Sequence, residues 1–167
     1  MSPSSIKPTV PKANPDTSAA HVLRQFRIVF NAVKTHFRHV EQAAGVGGAQ
    51  VWALSVIRDQ PGIGIKALAR KLDIKQSTAS NLVRALLERD LVAATRDGAD
   101  RRTVALQLLG AGAGVLARAP GPFAGVLPEA LGELDAATLA RLETDLGMLI
   151  KLLGADAEGG NVPLANL

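Results

Sequence analysis

Gln76, Ser77, Ser80, Asn81 and Arg84 lie on one side of a segment whose other side is Ala79, Leu82, Val83, Leu86 and Leu87. The apolar set repeats at helical spacing and must face a core, which leaves the polar set on the open face of a helix over about 76–89. Short amides and hydroxyls near a helix N-terminus, followed by a cation, suit pairing with base edges in a DNA major groove. A face made only to meet water more usually carries Glu and Lys. Further on, Arg96, Arg101 and Arg102 flank a loop that contains Gly98 and Asp100. Those cations are placed to reach phosphates or a narrow minor groove. Asp100 can accept hydrogen bonds from turn amides or an arginine fork and so set the loop's direction.

Other chemistries find less support. The histidines, His21, His36 and His39, all fall in one presumed first helix, with no Ser/His/Asp order, glycine-rich phosphate loop or carboxylate-rich metal motif beside them. An enzyme is therefore not expected, and neither is a cofactor. His36 and His39 stand three apart with Glu41 nearby, so a metal- or proton-responsive protein is an alternative, yet two ligands without a clear third make a poor site. They read as helix-surface histidines, and no metal is assigned. The absence of cysteine excludes disulfides, thiolate metal sites and cysteine redox sensing.

The elements that must position the polar face are legible around it. Residues 1–17 hold four prolines among Ser, Thr and Lys and are expected to be a disordered N-terminal tail. A helix follows from about Ser18 to Ala44, with Phe26, Phe30, Val33, Phe37 and Val40 spaced at four, three, four and three. Gly45, Gly47 and Gly48 end it. A second helix over about 49–59, closed by Pro61-Gly62, and a third over about 65–72 burying Leu68, Ala69 and Leu72 lead to the polar-faced helix. Leu91 to Arg96 and Thr103 to Leu108 read as a hairpin, with Val104, Leu106 and Leu108 facing inward. Helices over about 110–118, 122–134 and 136–153 complete the chain, with Asp135 capping the last and Ala119-Pro120-Gly121-Pro122 breaking the first from the second.

The last helix spaces Leu139, Leu142, Leu146, Leu149 and Leu153 at three, four, three and four. Together with the first helix this makes two coiled-coil-like seams, read as a dimerisation layer built from both chain ends: Phe26, Phe30, Val33 and Phe37 with Leu139, Leu142, Leu146 and Leu149. The expected organisation is a tail at 1–17, a dimerisation helix at 18–48, a DNA-binding module at 49–109, dimerisation helices at 110–154 and a flexible tail at 155–167. The fold class is mostly α with a small β-hairpin, an α+β winged helix-turn-helix. Charge follows this division. Of a net +4, the excess is carried by residues 1–102, whereas 103–167 hold seven acidic residues against three basic. A basic surface fits phosphate contact and salt-sensitive binding. The first residues lack a secretory signal's apolar core and no stretch approaches the ~20 apolar residues of a membrane span, so a cytoplasmic protein without a membrane partner is expected.

The order Pro61-Gly62-Ile63, Lys66-Ala67-Leu68-Ala69-Arg70-Lys71-Leu72, Gln76 through Arg84, Leu86 through Val92, and Asp100-Arg101-Arg102 before Leu106-Gln107-Leu108 resembles the MarR family of bacterial transcription regulators, over roughly residues 18–153. The resemblance implies a homodimer on a pseudo-palindromic operator in double-stranded DNA, most often as a ligand-responsive repressor. Carried over by position, Gln76, Ser77, Ser80 and Asn81 would meet base edges, Thr78 and Arg84 phosphates, and Arg102 would be the wing arginine oriented by Asp100. Lys75 stands where the family often has a capping Ser or Thr, so either another cap, such as Ser77, or a frayed first turn is expected. Control by a small aromatic or phenolic effector is also implied, for which Trp52 for stacking and Arg24, Arg27 or Arg58 for a carboxylate are the candidates. A rival of another kind is a winged helix that serves only protein contact; the polar face and the wing arginines weigh against it.

Overall fold

The computed structural model describes residues 18–96 and 104–166. The expected N-terminal tail at 1–17 and the wing tip carrying Asp100, Arg101 and Arg102 lie outside the described residues. The chain begins with α1, Ala19–Ala44, whose N-cap Ser18 accepts a hydrogen bond from the His21 amide and whose end is set by Gly45 in the left-handed region. Then follow α2 (Gly48–Asp59), α3 (Ile65–Lys71) and α4 (Gln76–Glu88). An antiparallel hairpin of β1 (Val92–Arg96) and β2 (Val104–Leu108) sets Val92 opposite Leu108 and Arg96 opposite Val104. Three further α-helices follow, α5 (Gly110–Arg118), α6 (Val126–Gly132) and α7 (Ala136–Leu153). The architecture is the expected one, mostly helical with a two-stranded wing.

The core forms around α2, because Val51, Ala53, Leu54 and Ile57 are each fully removed from solvent and meet α1, α4, α5 and β2. Leu68 of α3, Leu86 of α4 and Leu106 of β2 close around them. Full burial of one such side chain contributes roughly 1.5–3 kcal/mol, so the module is held chiefly by this cluster. Gly62 reverses the chain at φ +86°, and its amide donates to the Leu106 carbonyl at 2.8 Å while the Leu106 amide donates to Ile63 at 3.0 Å. Ile63 thereby adds a third extended piece to the wing sheet, where the Pro61-Gly62 dipeptide had signalled only a helix stop. At the wing's base a side-chain carbon on Gly112 would overlap the Leu91 carbonyl, so α5 packs directly on the hairpin only because that position is glycine.

Three expectations are corrected. The helix expected over 122–134 is shorter, since Gly125 sits at φ +104°, outside the helical region, and α6 starts only at Val126. The segment expected to be a flexible tail at 155–167 instead forms two 3-10 turns, Ala157–Asn161 and Leu164–Asn166. Asp156 caps the first, Pro163 is buried, and the second packs against α1 and α2. Val33 and Phe37, assigned to the dimer seam, turn into their own subunit: Val33 is buried, and the half-buried Phe37 ring lies against Gly48 and Gly125. A helix 26 residues long drifts about 20° per heptad relative to a straight 3.5-residue seam, so one stripe serves two neighbours in succession.

The rest of that seam is open. Phe30 and Val29 on α1, and Leu139, Leu142 and Leu146 on α7, are exposed, with Phe26 and Leu149 half-buried. No residue of α7 is buried. Among the described residues no helix is long and apolar enough to cross a membrane.

Candidate nucleic-acid interface

The turn between α3 and α4 is set by backbone hydrogen bonds and one anchor. The Leu72 amide donates to Leu68, the Asp73 amide to Arg70 and the Ile74 amide to Ala69, while Ile74 is buried beneath. Asp73 takes φ +51°, a left-handed conformation that short polar residues tolerate better than branched ones. This fixes where α4 leaves the core. Ala79, Val83 and Leu86 of α4 are buried, and Leu82 and Leu87 pack against the same cluster.

The opposite face of α4 holds the residues singled out by sequence. Gln76, Ser77, Asn81 and Arg84 are exposed, and Thr78 and Ser80 are half-buried. The Ser80 hydroxyl donates to the Gln76 carbonyl at 2.8 Å, so its proton is used within the helix and only its lone pairs face outward. Ser77 does not cap the helix. Lys75 occupies the N-cap position in extended backbone and makes no side-chain cap, leaving the first-turn amides open to an incoming acceptor. Lys66, Arg70 and Lys71 of α3 are exposed beside this end. Arg89, just past α4, donates to the Gly45 carbonyl at 3.0 Å and ties the far end of the helix to the end of α1. On the wing, the Thr95 hydroxyl donates to the Ala105 carbonyl at 3.4 Å. Arg96 ends β1, at the edge of the segment that carries the other wing arginines.

The effector candidates separate. Trp52 lines a small space of about 80 Å³ with Val33, Phe37, Ala49 and Leu127. A wider groove of about 360 Å³ adjoins it, bordered by Phe30, Phe37, Lys34, Arg38 and Glu41. Arg24 and Arg27 are exposed on α1 and line neither. Arg58 is also elsewhere, hydrogen-bonded to Asp59 at 2.8 Å and stacked over the Phe123 ring at 5.6 Å. That hydrogen bond holds the Asp59 carboxyl below the usual carboxylate range and raises the Arg58 guanidinium. The cations at the groove are Lys34 and Arg38, which the sequence reading passed over. Their spacing of four, beside the aromatics at 30 and 37, is the signal in the sequence that could have found them. His36 Nε2 lies 3.0 Å from the Pro122 carbonyl oxygen. Among the described residues no three His, Asp or Glu gather as a metal site.

Residues 44–103 match the MarR family model, a stretch that runs from the end of α1 to the start of β2. A MepR-like protein crystallised with pseudoligands superposes with a TM-score of 0.56 at 18% identity, covering 83% of this chain and 98% of that one. The Staphylococcus aureus MepR–DNA complex gives 0.54 at 18%, with 83% and 99% covered. The transcriptional regulator BldR from Sulfolobus solfataricus gives 0.51 at 20%, with 81% and 94% covered. At these identities the likeness is one of fold. No curated protein matches the sequence.

Proposed function

We propose that this chain, a MarR-family winged helix-turn-helix protein by residues 44–103, is a transcription regulator that binds double-stranded DNA as a homodimer. One observation carries the reading: α4 is divided into a buried apolar face and an open face of Gln76, Ser77, Asn81 and Arg84, with its uncapped first turn toward solvent. Such a helix can enter a major groove and offer amides to base edges, while the basic residues of α3 and the wing arginines meet phosphates. A winged helix used only for protein contact has no need of that face.

The dimer reading is supported by the exposed apolar residues at both chain ends, on α1 and α7. Two modules related by a two-fold axis read a pseudo-palindrome with half-sites about 10 base pairs apart. The effector reading is supported by the groove beside Trp52, where Lys34 and Arg38 would receive the carboxylate of an aromatic acid and Phe30 and Phe37 its ring. Such a ligand represses or releases DNA binding only if it prefers one spacing of the two recognition helices.

Fluorescence anisotropy with a duplex from upstream of the chain's own gene, against a shuffled duplex and over a range of salt, tests the function. A preference for the upstream duplex and a steep loss of affinity with salt are expected. Equal, salt-insensitive binding to both would sink the DNA reading.

A further inference from the structure

We propose that residues 155–166 form an intramolecular clasp that covers the Trp52 groove and holds a carboxylate at the start of the recognition helix, so that it must release before DNA binds. The inference rests on the DNA-binding reading above. Its first observation is where the chain goes after α7. Gly154, in the left-handed region, ends that helix, and Asp156 accepts from the Glu158 amide to begin a 3-10 turn directed back at the molecule. Pro163 is buried, and Leu164 and Ala165 line both the inner space and the wider groove. The seat is shaped for them, since a side-chain carbon on Gly48 would lie 3.1 Å from the Ala165 methyl carbon and would overlap the Phe37 ring.

The second observation is electrostatic. Glu158, in the same segment, forms an ion pair with Lys75 at the N-cap of α4. Lys75 immediately precedes Gln76 at the start of the base-reading helix, and a carboxylate there repels the phosphates that this end of the helix would approach. Both partners remain about half exposed, at 49% and 58%, so the pair is weak enough to exchange for phosphate contact. The apolar end of the segment and its acidic end thus act on two different parts of the proposed regulator. Occupying the groove and masking Lys75 are one event. A ligand that enters the groove displaces Leu164 and Ala165 and loosens Glu158 with them, which links the effector space to the recognition helix within one subunit.

The test compares the full chain with a variant ending at Gly154 and with Glu158→Gln, using a mixed-sequence duplex at low salt. Trp52 is the chain's sole tryptophan, so its quenching by acrylamide reports clasp docking without reference to DNA. Truncation is expected to increase quenching, and Glu158→Gln to tighten duplex binding roughly two- to five-fold, the range of an exposed ion pair. Glu143→Gln on α7 changes net charge equally and is expected to tighten it less. Unchanged quenching on truncation overturns the clasp, whatever the DNA result, and equal effects of Glu158→Gln and Glu143→Gln overturn the masking of Lys75. If truncation frees Trp52 but neither form binds any duplex, the DNA reading fails and the coupling fails with it, while docking stands.

Discussion

The ring of Phe37 lies where a side-chain carbon on Gly48 would have to be. α1 and α2 therefore approach at a distance only glycine allows, and the same ring meets Gly125 ahead of α6. Phe37 is the pivot between the long first helix, the core and the C-terminal helices.

Gly48→Ala should destabilise the protein by about 1–3 kcal/mol, the usual cost of forcing an extra carbon into a packed site. Helix propensity alone would favour alanine by about 1 kcal/mol, so the sign of the change in urea denaturation discriminates. A more stable variant would mean that the Phe37 ring swings away freely.

Asn81→Ala should alter the ranking of duplex sequences, by about 1–3 kcal/mol at one base position. Arg84→Ala and Arg102→Ala should weaken all duplexes alike and lower the salt slope by about one each. Competition binding against a panel of single-base variants separates the two behaviours. Uniform loss for Asn81→Ala would remove it from base readout.

Leu146→Asp places a charge on the exposed apolar face of α7. A loss of about 2 kcal/mol of dimer free energy, roughly thirtyfold in dissociation constant, is expected from burying it unpaired. Sedimentation should show monomers with the thermal transition of the core retained. Val33→Asp, at a position buried in its own subunit, should instead unfold the chain.

Lys34→Ala and Arg38→Ala should each weaken binding of an aromatic acid such as benzoate about tenfold, because a charge-assisted hydrogen bond contributes about 1.5 kcal/mol or more. Arg24→Ala and Arg27→Ala should leave it unchanged. Quenching of Trp52 fluorescence is the readout, and the reverse ranking would move the site toward the N-terminal half of α1.

Acidification should fray the start of α7. The Asp135 carboxyl accepts from the Thr138 amide at 2.9 Å and from its hydroxyl at 2.7 Å. The amide bond first, then the hydroxyl, holds it below the usual aspartate range. A depressed folded-state value means that the stabilisation is present in full above the ordinary carboxylate range and is lost as pH falls below that range and through the lowered folded-state value. Far-UV circular dichroism should show helix loss on acidification that is smaller in Asp135→Asn, which caps without titrating. Equal loss in both would place the acid sensitivity elsewhere.

Much of this was legible in local signals. Ser18 and Asp135 were readable as caps, the Leu68, Ala69 and Leu72 set as a buried face, and the division of α4 from the spacing of Ala79, Val83 and Leu86, because each depends on neighbours within a turn or two. Ile63 was missed as a sheet residue because its partner, Leu106, is distant in sequence. Charge alone does not distinguish Arg24, Arg27 and Arg58 from other cations: Arg58 already holds Asp59 and Phe123, and the cations at the groove are Lys34 and Arg38.

Residue spacing by itself determined the helices other than α6, the wing strands and the polar face of α4, since periodicity and capping act over a few residues. The tertiary structure decided which part of the α1 stripe is core and which is open, because Val33 and Phe37 are claimed by α2 and the glycines at 48 and 125. It also decided that residues 155–166 return to the Trp52 groove and to Lys75. A short segment interrupted by Gly159, Gly160, Asn161 and Pro163 has no periodicity of its own, and its conformation is set by the surface on which it lands.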